Sequence, residues 1–255
     1  MVSINHRQKL GFIKLKDVYY ASKVKNEHPG YDAVYYFNCQ KPIKNAKEFN
    51  TMLIDLAPEP ETILRSFRKS TRVEIKKALE DPSINFHNSE RPDDQEMEVF
   101  YKNYNDFAVN KNILLCHRDL LNSFRSKERL AIYTASAADE ILAQFALVIM
   151  DDRVVAKYGY NNRFNHKEDL EKVQLISRAN RALDYMGMLY ARQLGKKYYD
   201  LCGLTLDPQN TAAQNVDHYK MGFRGQIVKE YHFLKPITYK GKIFYWLKKI
   251  FHKTE

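Results

Sequence analysis

Between Arg129 and Asn161, apolar and polar residues alternate in three runs, the pattern of strands with one face in a core. The runs are Arg129–Ser136, Ile141–Met150 and Val154–Asn161, separated by turns at Ala138-Asp139-Glu140 and Asp151-Asp152-Arg153. They predict a three-stranded antiparallel meander. The period then lengthens. A long helix ends at Gly195 and runs into Tyr198-Tyr199-Asp200-Leu201-Cys202-Gly203, a second helix closes on Tyr219-Lys220-Met221-Gly222-Phe223-Arg224-Gly225, and a last strand covers Ile227 to Leu234. Strand, helix, strand, helix, strand with glycine at both helix exits predicts an α/β layout. Its polar residues gather at strand ends, where open α/β sheets place their sites.

Upstream, Pro58-Glu59-Pro60-Glu61 suits a helix start and Asp81-Pro82 a stop. Between them Leu64, Phe67, Thr71, Ile75 and Ala78 recur at three- and four-residue steps, predicting one helix with one buried face. Arg65, Arg68, Lys69, Arg72 and Lys76 recur the same way on a neighbouring face. Ile84–Asn88 reads as a strand, and Asp93–Asn110 and His117–Ser126 as helices. Met97, Phe100, Tyr101, Tyr104 and Phe107 form a stripe that faces a core.

Charge sharpens this picture. Of the net charge of +10, residues Arg65 to Lys77 carry +5 and Lys240 to Glu255 carry +4. Excess charge held in two patches points to anionic partners such as tRNA or nucleotide phosphates, lipid headgroups or an acidic carrier. The first patch is either a solvated helix face or a phosphate-contacting ridge of Arg65, Lys69, Arg72 and Lys76, since arginine grips two phosphate oxygens at once. In the second, Ile243, Phe244, Trp246, Leu247, Ile250 and Phe251 fall on one side of a helix whose margins hold Lys242, Lys248, Lys249 and Lys253. Such a helix either docks on its own domain or lies flat on an anionic membrane through residues 239–253.

With 44% apolar and 28% charged residues the chain reads as an ordinary globular protein, and no apolar run reaches the roughly 18–20 residues of a membrane span. Cys39, Cys116 and Cys202 show no metal-ligand spacing and suit free thiols in a reducing cytoplasm. Met1 to Lys9 lacks the apolar stretch of a signal peptide. A cytoplasmic protein is expected, peripheral to the inner face of the membrane if the tail binds lipid. No Gly-x-Ser-x-Gly, Walker or metal-spaced motif occurs, so a metal-free enzyme is expected.

Residues 55 to 235 resemble the acyltransferases of the N-acetyltransferase superfold, and especially the Fem-type aminoacyltransferases that build peptidoglycan cross-bridges. The resemblance rests on Tyr158 and Tyr160 at a strand end, Gly195 closing a long helix, Asp200 with Gly203, Tyr219-Lys220, and Gly222-Phe223-Arg224-Gly225. It implies an α/β (α+β) fold with a mixed sheet and flanking helices. Residues 1–80 would be a reduced N-terminal lobe and basic helix, 81–237 the acyltransferase domain, and 238–255 a basic amphipathic tail. It also implies Lys220 as the catalytic lysine that steadies a tetrahedral oxyanion, and Tyr219 as a residue that packs against the donor or acts as general acid. Tyr219 sits four residues before Phe223, the spacing at which the superfold places a proton donor for a departing thiolate. Asp200 would be a base or orient the amine, and Tyr158 and Tyr160 would contact substrate.

In the superfold a glycine-rich turn after the strand holds the pyrophosphate of coenzyme A. Here Asn161 to Asp169 contains no glycine, leaving Arg163, His166 and Lys167 to hold phosphate through side chains. The expectation is an N-acyltransferase with no tightly bound cofactor, moving an acyl or aminoacyl group from aminoacyl-tRNA or acyl-CoA to an amine of a lipid- or nucleotide-linked cell-envelope precursor. Two alternatives stand beside it: an acetyl-CoA-dependent N-acetyltransferase of an amino sugar in surface-polysaccharide synthesis, and a non-catalytic tRNA- or membrane-binding module.

Overall fold

The first 51 residues, expected to be part of a reduced N-terminal lobe, are rich in strands. The chain opens with β1 (Val2–Lys9), β2 (Ile13–Tyr19), β3 (Ala33–Cys39) and β4 (Lys47–Asp55). The computed structural model describes residues 2–9, 12–41, 43–206, 209 and 211–251, without the side chains of residues 2–9, 211–213 and 249–251. The chain divides into two units, residues 1–51 with 228–255 and residues 52–227. The Asp81-Pro82 break, expected as a boundary, is a turn inside the larger unit.

After β4 the larger unit runs through α1 (Pro60–Ser66), α2 (Lys69–Glu80), β5 (Asn85–Ser89), α3 (Asp94–Lys111) and α4 (Arg118–Arg125). The expected meander follows as β6 (Leu130–Ala137), β7 (Glu140–Ile149) and β8 (Arg153–Asn161). A short 3-10 turn at Asn162–His166 leads to α5 (Leu170–Gln193), β9 (Tyr198–Leu204) and α6 (Thr211–Met221). The last elements are β10 (Gln226–Pro236) and α7 (Tyr239–Phe251).

In the smaller unit the strand order is β1-β2-β3-β10. β1 and β3 pair antiparallel with β2 and β10 respectively, while β2 and β3 run parallel. The mixed directions follow from β10 arriving from the far end of the chain. Tyr36 stacks on Phe233 at 4.9 Å over a core with Val18, Val34 and Cys39. Asp32 fixes the entry to α7: its carboxylate accepts from the Thr238 hydroxyl at 2.6 Å and from the Lys14 N–H at 2.9 Å.

The larger unit has the order β4-β9-β8-β7-β6-β5. β5, β6, β7 and β8 pair antiparallel in sequence, and β8 pairs parallel with β9. Alternation along β6 sends Ala131, Tyr133 and Ala135 into the cluster beneath α2 and α5, and turns Leu130 and Ile132 to the opposite face, towards α4. α3 begins where Asp93 and Glu96 accept each other's backbone N–H, and ends at Asn112 in the left-handed region. α5 ends at Gly195, φ +66°, a conformation glycine adopts without strain.

The single helix expected from Pro58 to Asp81 is broken. Phe67 and Arg68 are extended, with ψ of 163° and 146°, and separate α1 from α2. All five apolar positions, Leu64, Phe67, Thr71, Ile75 and Ala78, are nevertheless buried. The break is tertiary in origin. Its extended backbone seats the Phe67 ring edge-on against Phe223 and Tyr185 and lets the Arg68 N–H donate to the Gly222 carbonyl at 2.9 Å. No local residue announces it.

β8 and β9 then part. Their pairing covers Arg153–Val155 with Tyr198–Asp200, and none is seen beyond it among the described residues. On β8 the register against β7 slips so that Lys157 is an inserted residue, a bulge that bends its strand. On β9 Cys202 lies at φ +62°, a conformation uncommon outside glycine, asparagine and aspartate, and its N–H donates to Asp200 Oδ1 at 2.8 Å. Just before the parting, Arg153 Nη1 donates to Asp200 Oδ2 at 3.0 Å, both side chains no more than 3% exposed. A buried charge stripped of its partner is costly, so Arg153→Met is expected to destabilise the protein by about 3–5 kcal/mol. The Arg153→Met/Asp200→Leu double variant should recover most of that loss in urea denaturation. A double variant no more stable than the single one would mean that the pair is not what holds β8 to β9.

Candidate functional site

The polar centre of the larger unit is built on one face of α5. Ile176, Ala179, Leu183, Gly187 and Met188 make this helix a buried one, yet Asn180 and Asp184 lie buried among them one turn apart. Asp184 Oδ1 accepts from the Tyr199 hydroxyl of β9 at 3.1 Å, and Oδ2 from the Tyr219 hydroxyl of α6 at 2.6 Å. Asn180 Nδ2 donates to the same Tyr219 oxygen at 2.7 Å. Gly187 makes room for this: a Cβ there would stand 2.8 Å from the Tyr199 hydroxyl oxygen. One carboxylate thus ties α5, β9 and α6 together.

Burial pushes the Asp184 carboxyl up to about 6, although both phenols, Lys220 and Arg181 favour its charged form. Burial, then the Asp184 charge, holds both phenols well above their usual range, so they stay protonated donors. The Arg181 guanidinium lies 4.7 Å from the centre of the Tyr219 ring and pairs through Nε with Glu74 of α2. Two buried polar atoms here have no hydrogen-bond partner among the described residues, Asn180 Oδ1 and Arg181 Nη1. Most buried polar groups are hydrogen-bonded, so these two stand out.

Lys220 follows Tyr219 on the last turn of α6. Its Nζ donates to the Gly203 carbonyl at 2.5 Å, on the stretch of β9 that has left β8. Among the described residues this is the one hydrogen bond of the ammonium, which has three donors. Asp217, one turn of α6 earlier, accepts from the N–H groups of Thr205 and Leu206 and fixes the end of β9. Tyr219 directs its hydroxyl inward to Asp184, so it anchors the turn that carries Lys220.

The other expected site residues scatter. Asp200 is taken up by its ion pair with Arg153. Arg163 is brought near Tyr219, Arg181 and Glu74; burial lowers its pKa first, and the like charge of Arg181 adds to this. His166 meets Glu140 at 2.5 Å, and Lys172 meets the same carboxylate at 2.6 Å. Lys167 stacks on Phe164, 3.9 Å from the ring centre. Tyr158 has its ring against Tyr104, and its hydroxyl accepts from the His117 N–H. Tyr160 lines a separate groove of about 370 Å³ with Asn103, Asp106, Phe107, Glu140 and Asn162.

The basic ridge does not form as one row. The break at Phe67 puts Arg65 on α1 and the rest on α2. Arg72 is half-buried and donates to the carbonyls of Arg65 and Phe67 at 2.7 and 2.9 Å, capping α1, while Arg65, Lys69 and Lys76 are exposed. Sequence reasoning missed Asn180, Arg181 and Asp184, although polar residues four apart on a buried helix face were a legible signal. Among the described residues no cluster of histidine, cysteine or carboxylate could hold a metal ion.

No protein-family model matches the sequence, and no curated protein does either. The fold has counterparts among solved structures. A crystal structure of FemX superposes with a TM-score of 0.55 at 11% identity over 73% of this chain and 59% of that one. The C-terminal domain (DUF2156) of a "putative lysylphosphatidylglycerol synthetase" from Agrobacterium fabrum gives 0.51 at 10% identity over 81% and 68%. L-PGS from Bacillus licheniformis gives 0.50 at 10% identity over 82% and 69%. The chain therefore shares the fold of FemX and of these synthetase domains, and covers 59% of the length of FemX.

Titration of Asp184 provides a test of this centre. Because burial raises its pKa above 3.8, the folded state binds a proton more tightly than the unfolded chain. Its contribution is present at low pH and lost as pH climbs from about 4 to about 6, a loss of about 3 kcal/mol. The Asp184→Asn variant is expected to lack this fall. Urea denaturation of both proteins across the interval measures it, and identical pH profiles would rule out a raised Asp184 pKa.

Proposed function

We propose that this protein is an N-acyltransferase that moves an acyl or aminoacyl group to an amine on an anionic, lipid- or nucleotide-linked cell-envelope precursor. The observation that carries this reading is the placement of Lys220 where β8 and β9 part. No β8–β9 pairing is seen past Val155 and Asp200 among the described residues, which would leave backbone N–H and C=O groups for an extended donor, and Lys220 donates to Gly203 on that stretch of β9. The unsatisfied Asn180 Oδ1 and Arg181 Nη1 supply further polar anchors. The sharing of a fold with FemX and a lysylphosphatidylglycerol synthetase supports the choice of a cell-envelope acceptor.

In the proposed reaction the neutral amine attacks the donor carbonyl, and Lys220 hydrogen-bonds the oxyanion of the tetrahedral intermediate. Collapse expels the tRNA ribose oxygen or the thiolate, and the proton lost by the amine goes to that leaving group through solvent. Tyr219 is a positioning residue in this scheme, held by Asp184 and holding Lys220 in turn.

Aminoacyl-tRNA is the favoured donor over acyl-CoA. The free N–H groups at the start of a helix are what would hold a pyrophosphate, and at α5 the Asp169 carboxylate already accepts the Lys172 N–H at 2.9 Å. His166 and Lys167 are likewise engaged, with Glu140 and Phe164. Calorimetric titration with acetyl-coenzyme A should give no saturable heat; one-to-one binding would instead put acyl-CoA, and an amino sugar acceptor, first. With the preferred donor and a primary-amine acceptor, Lys220→Ala is expected to slow turnover about 10²–10³-fold in a protein whose circular dichroism is unchanged. Undiminished turnover in that variant would overturn the assignment of Lys220.

A further inference from the structure

Helix α7 has two apolar sides. Gly241, Phe244, Tyr245 and Lys248 share the side that faces the small unit's own sheet. Phe244 and Tyr245 pack on Ile13, Leu15, Ala33 and Leu234, and Lys248 Nζ donates to the Tyr35 hydroxyl at 2.6 Å. The approach is close enough that a Cβ on Gly241 would collide with the Asp32 carbonyl. The sequence pattern had put Phe244 in one stripe with Ile243, Trp246 and Leu247; the structure separates them. The side chains of Lys249, Ile250 and Phe251, and all of Lys253, lie outside the described residues.

Tyr239, Ile243, Trp246 and Leu247 fall on the other side, at spacings of four, three and one, and are 79, 48, 61 and 36% exposed. Lys240 and Lys242 are exposed beside them. A helix that merely docks on its own domain turns a polar face to water. This one turns a row of large apolar side chains outward, and such rows mark interaction surfaces.

We propose that this outward face seats on a membrane surface rich in anionic lipid headgroups. The helix carries lysines and no acidic residue, so its charge complements an anionic leaflet. Tryptophan and tyrosine rings settle at the depth of the headgroups while isoleucine and leucine enter the acyl boundary. A second copy of the chain is disfavoured because it would bring two all-basic helices face to face. A nucleic acid would use the lysines and leave the aliphatic row without a partner. At 13 residues the helix is far short of the roughly 20 needed to cross a bilayer, so it lies along the surface. The inference is independent of the acyl-transfer reading and is tested without turnover.

Trp246 is the chain's only tryptophan, so emission excited at the red edge of protein absorbance reports on this helix alone. The full chain is mixed with vesicles of phosphatidylcholine, with or without phosphatidylglycerol. The expected result is a blue shift and protection from iodide quenching on the anionic vesicles only, reversed by added salt. Lys240→Glu/Lys242→Glu should weaken vesicle affinity about tenfold or more, and Ile243→Glu/Leu247→Glu should abolish it. All four positions are exposed, and circular dichroism checks that the fold is kept. The proposal is overturned by no shift on anionic vesicles at low salt, or by an equal shift on phosphatidylcholine alone. A shift that grows with protein concentration without lipid, alongside a dimer mass in light scattering, overturns it in favour of a second copy. Protection by tRNA but not by vesicles overturns it in favour of nucleic acid.

Discussion

The arrangement of the larger unit depends on a carboxylate that the interior would rather keep neutral. Asp184 sits on a helix face otherwise given to alanine, leucine and methionine, and receives hydroxyls from two different elements. Removing either phenol would leave a buried acceptor unsatisfied, whereas together they make the carboxylate tolerable. The arrangement is therefore cooperative. β9 and α6 are each held to α5 through the same side chain, and Lys220 takes its position from a residue adjacent to one of the two phenols. Gly187 belongs to the same device, since any side chain there would push Tyr199 off the carboxylate.

The parting of β8 and β9 is the second constraint, and it is built from both strands. β8 bends at the residue inserted at Lys157, and β9 bends at Cys202, which pays a backbone cost that Asp200 offsets by accepting its N–H. Immediately before the gap the buried Arg153–Asp200 pair clamps the strands together. A parallel pair that is tightly held up to one register and open beyond it gives a gap of fixed position. Under the acyl transfer we propose, positional accuracy of this kind would orient a donor carbonyl against Lys220.

The elements after residue 129 were legible because the chain there is locally consistent: alternation gives β6 to β8, and glycine closes α5. The same reading failed at Phe67, where a helical period runs through a break that Phe223, Tyr185 and Gly222, all far along the chain, explain. It offered no elements for residues 1–51, whose β3 finds its partner in β10 nearly two hundred residues later. At the site, Tyr219 and Lys220 stood out by motif and the structure places them against Asp184 and Gly203. Asp184 was missed although its spacing of four from Asn180 on a buried helix face was visible; what the sequence did not show was which hydroxyls it receives. Asp200 looked like a base for the converse reason: its partner Arg153 lies forty-seven residues earlier.

The two basic segments meet different local structure. A row of cations on a helix can only act as a row if the helix is continuous. The break before α2 parts Arg65 from Lys69, Arg72 and Lys76 and leaves Arg72 with the task of satisfying the carbonyls that end α1, work that a continuous helix would not need. On α7 nothing breaks the helix, and no acid on it diminishes the lysines. The apolar residues that accompanied those lysines in sequence were numerous enough to fill two faces rather than one. Docking uses Phe244 and Tyr245, because β2, β3 and β10 offer a flat apolar surface wide enough for two aromatic rings. The remaining apolar residues are left outward by geometry, and their exposure is the consequence of a helix with more hydrophobic surface than its own domain can cover.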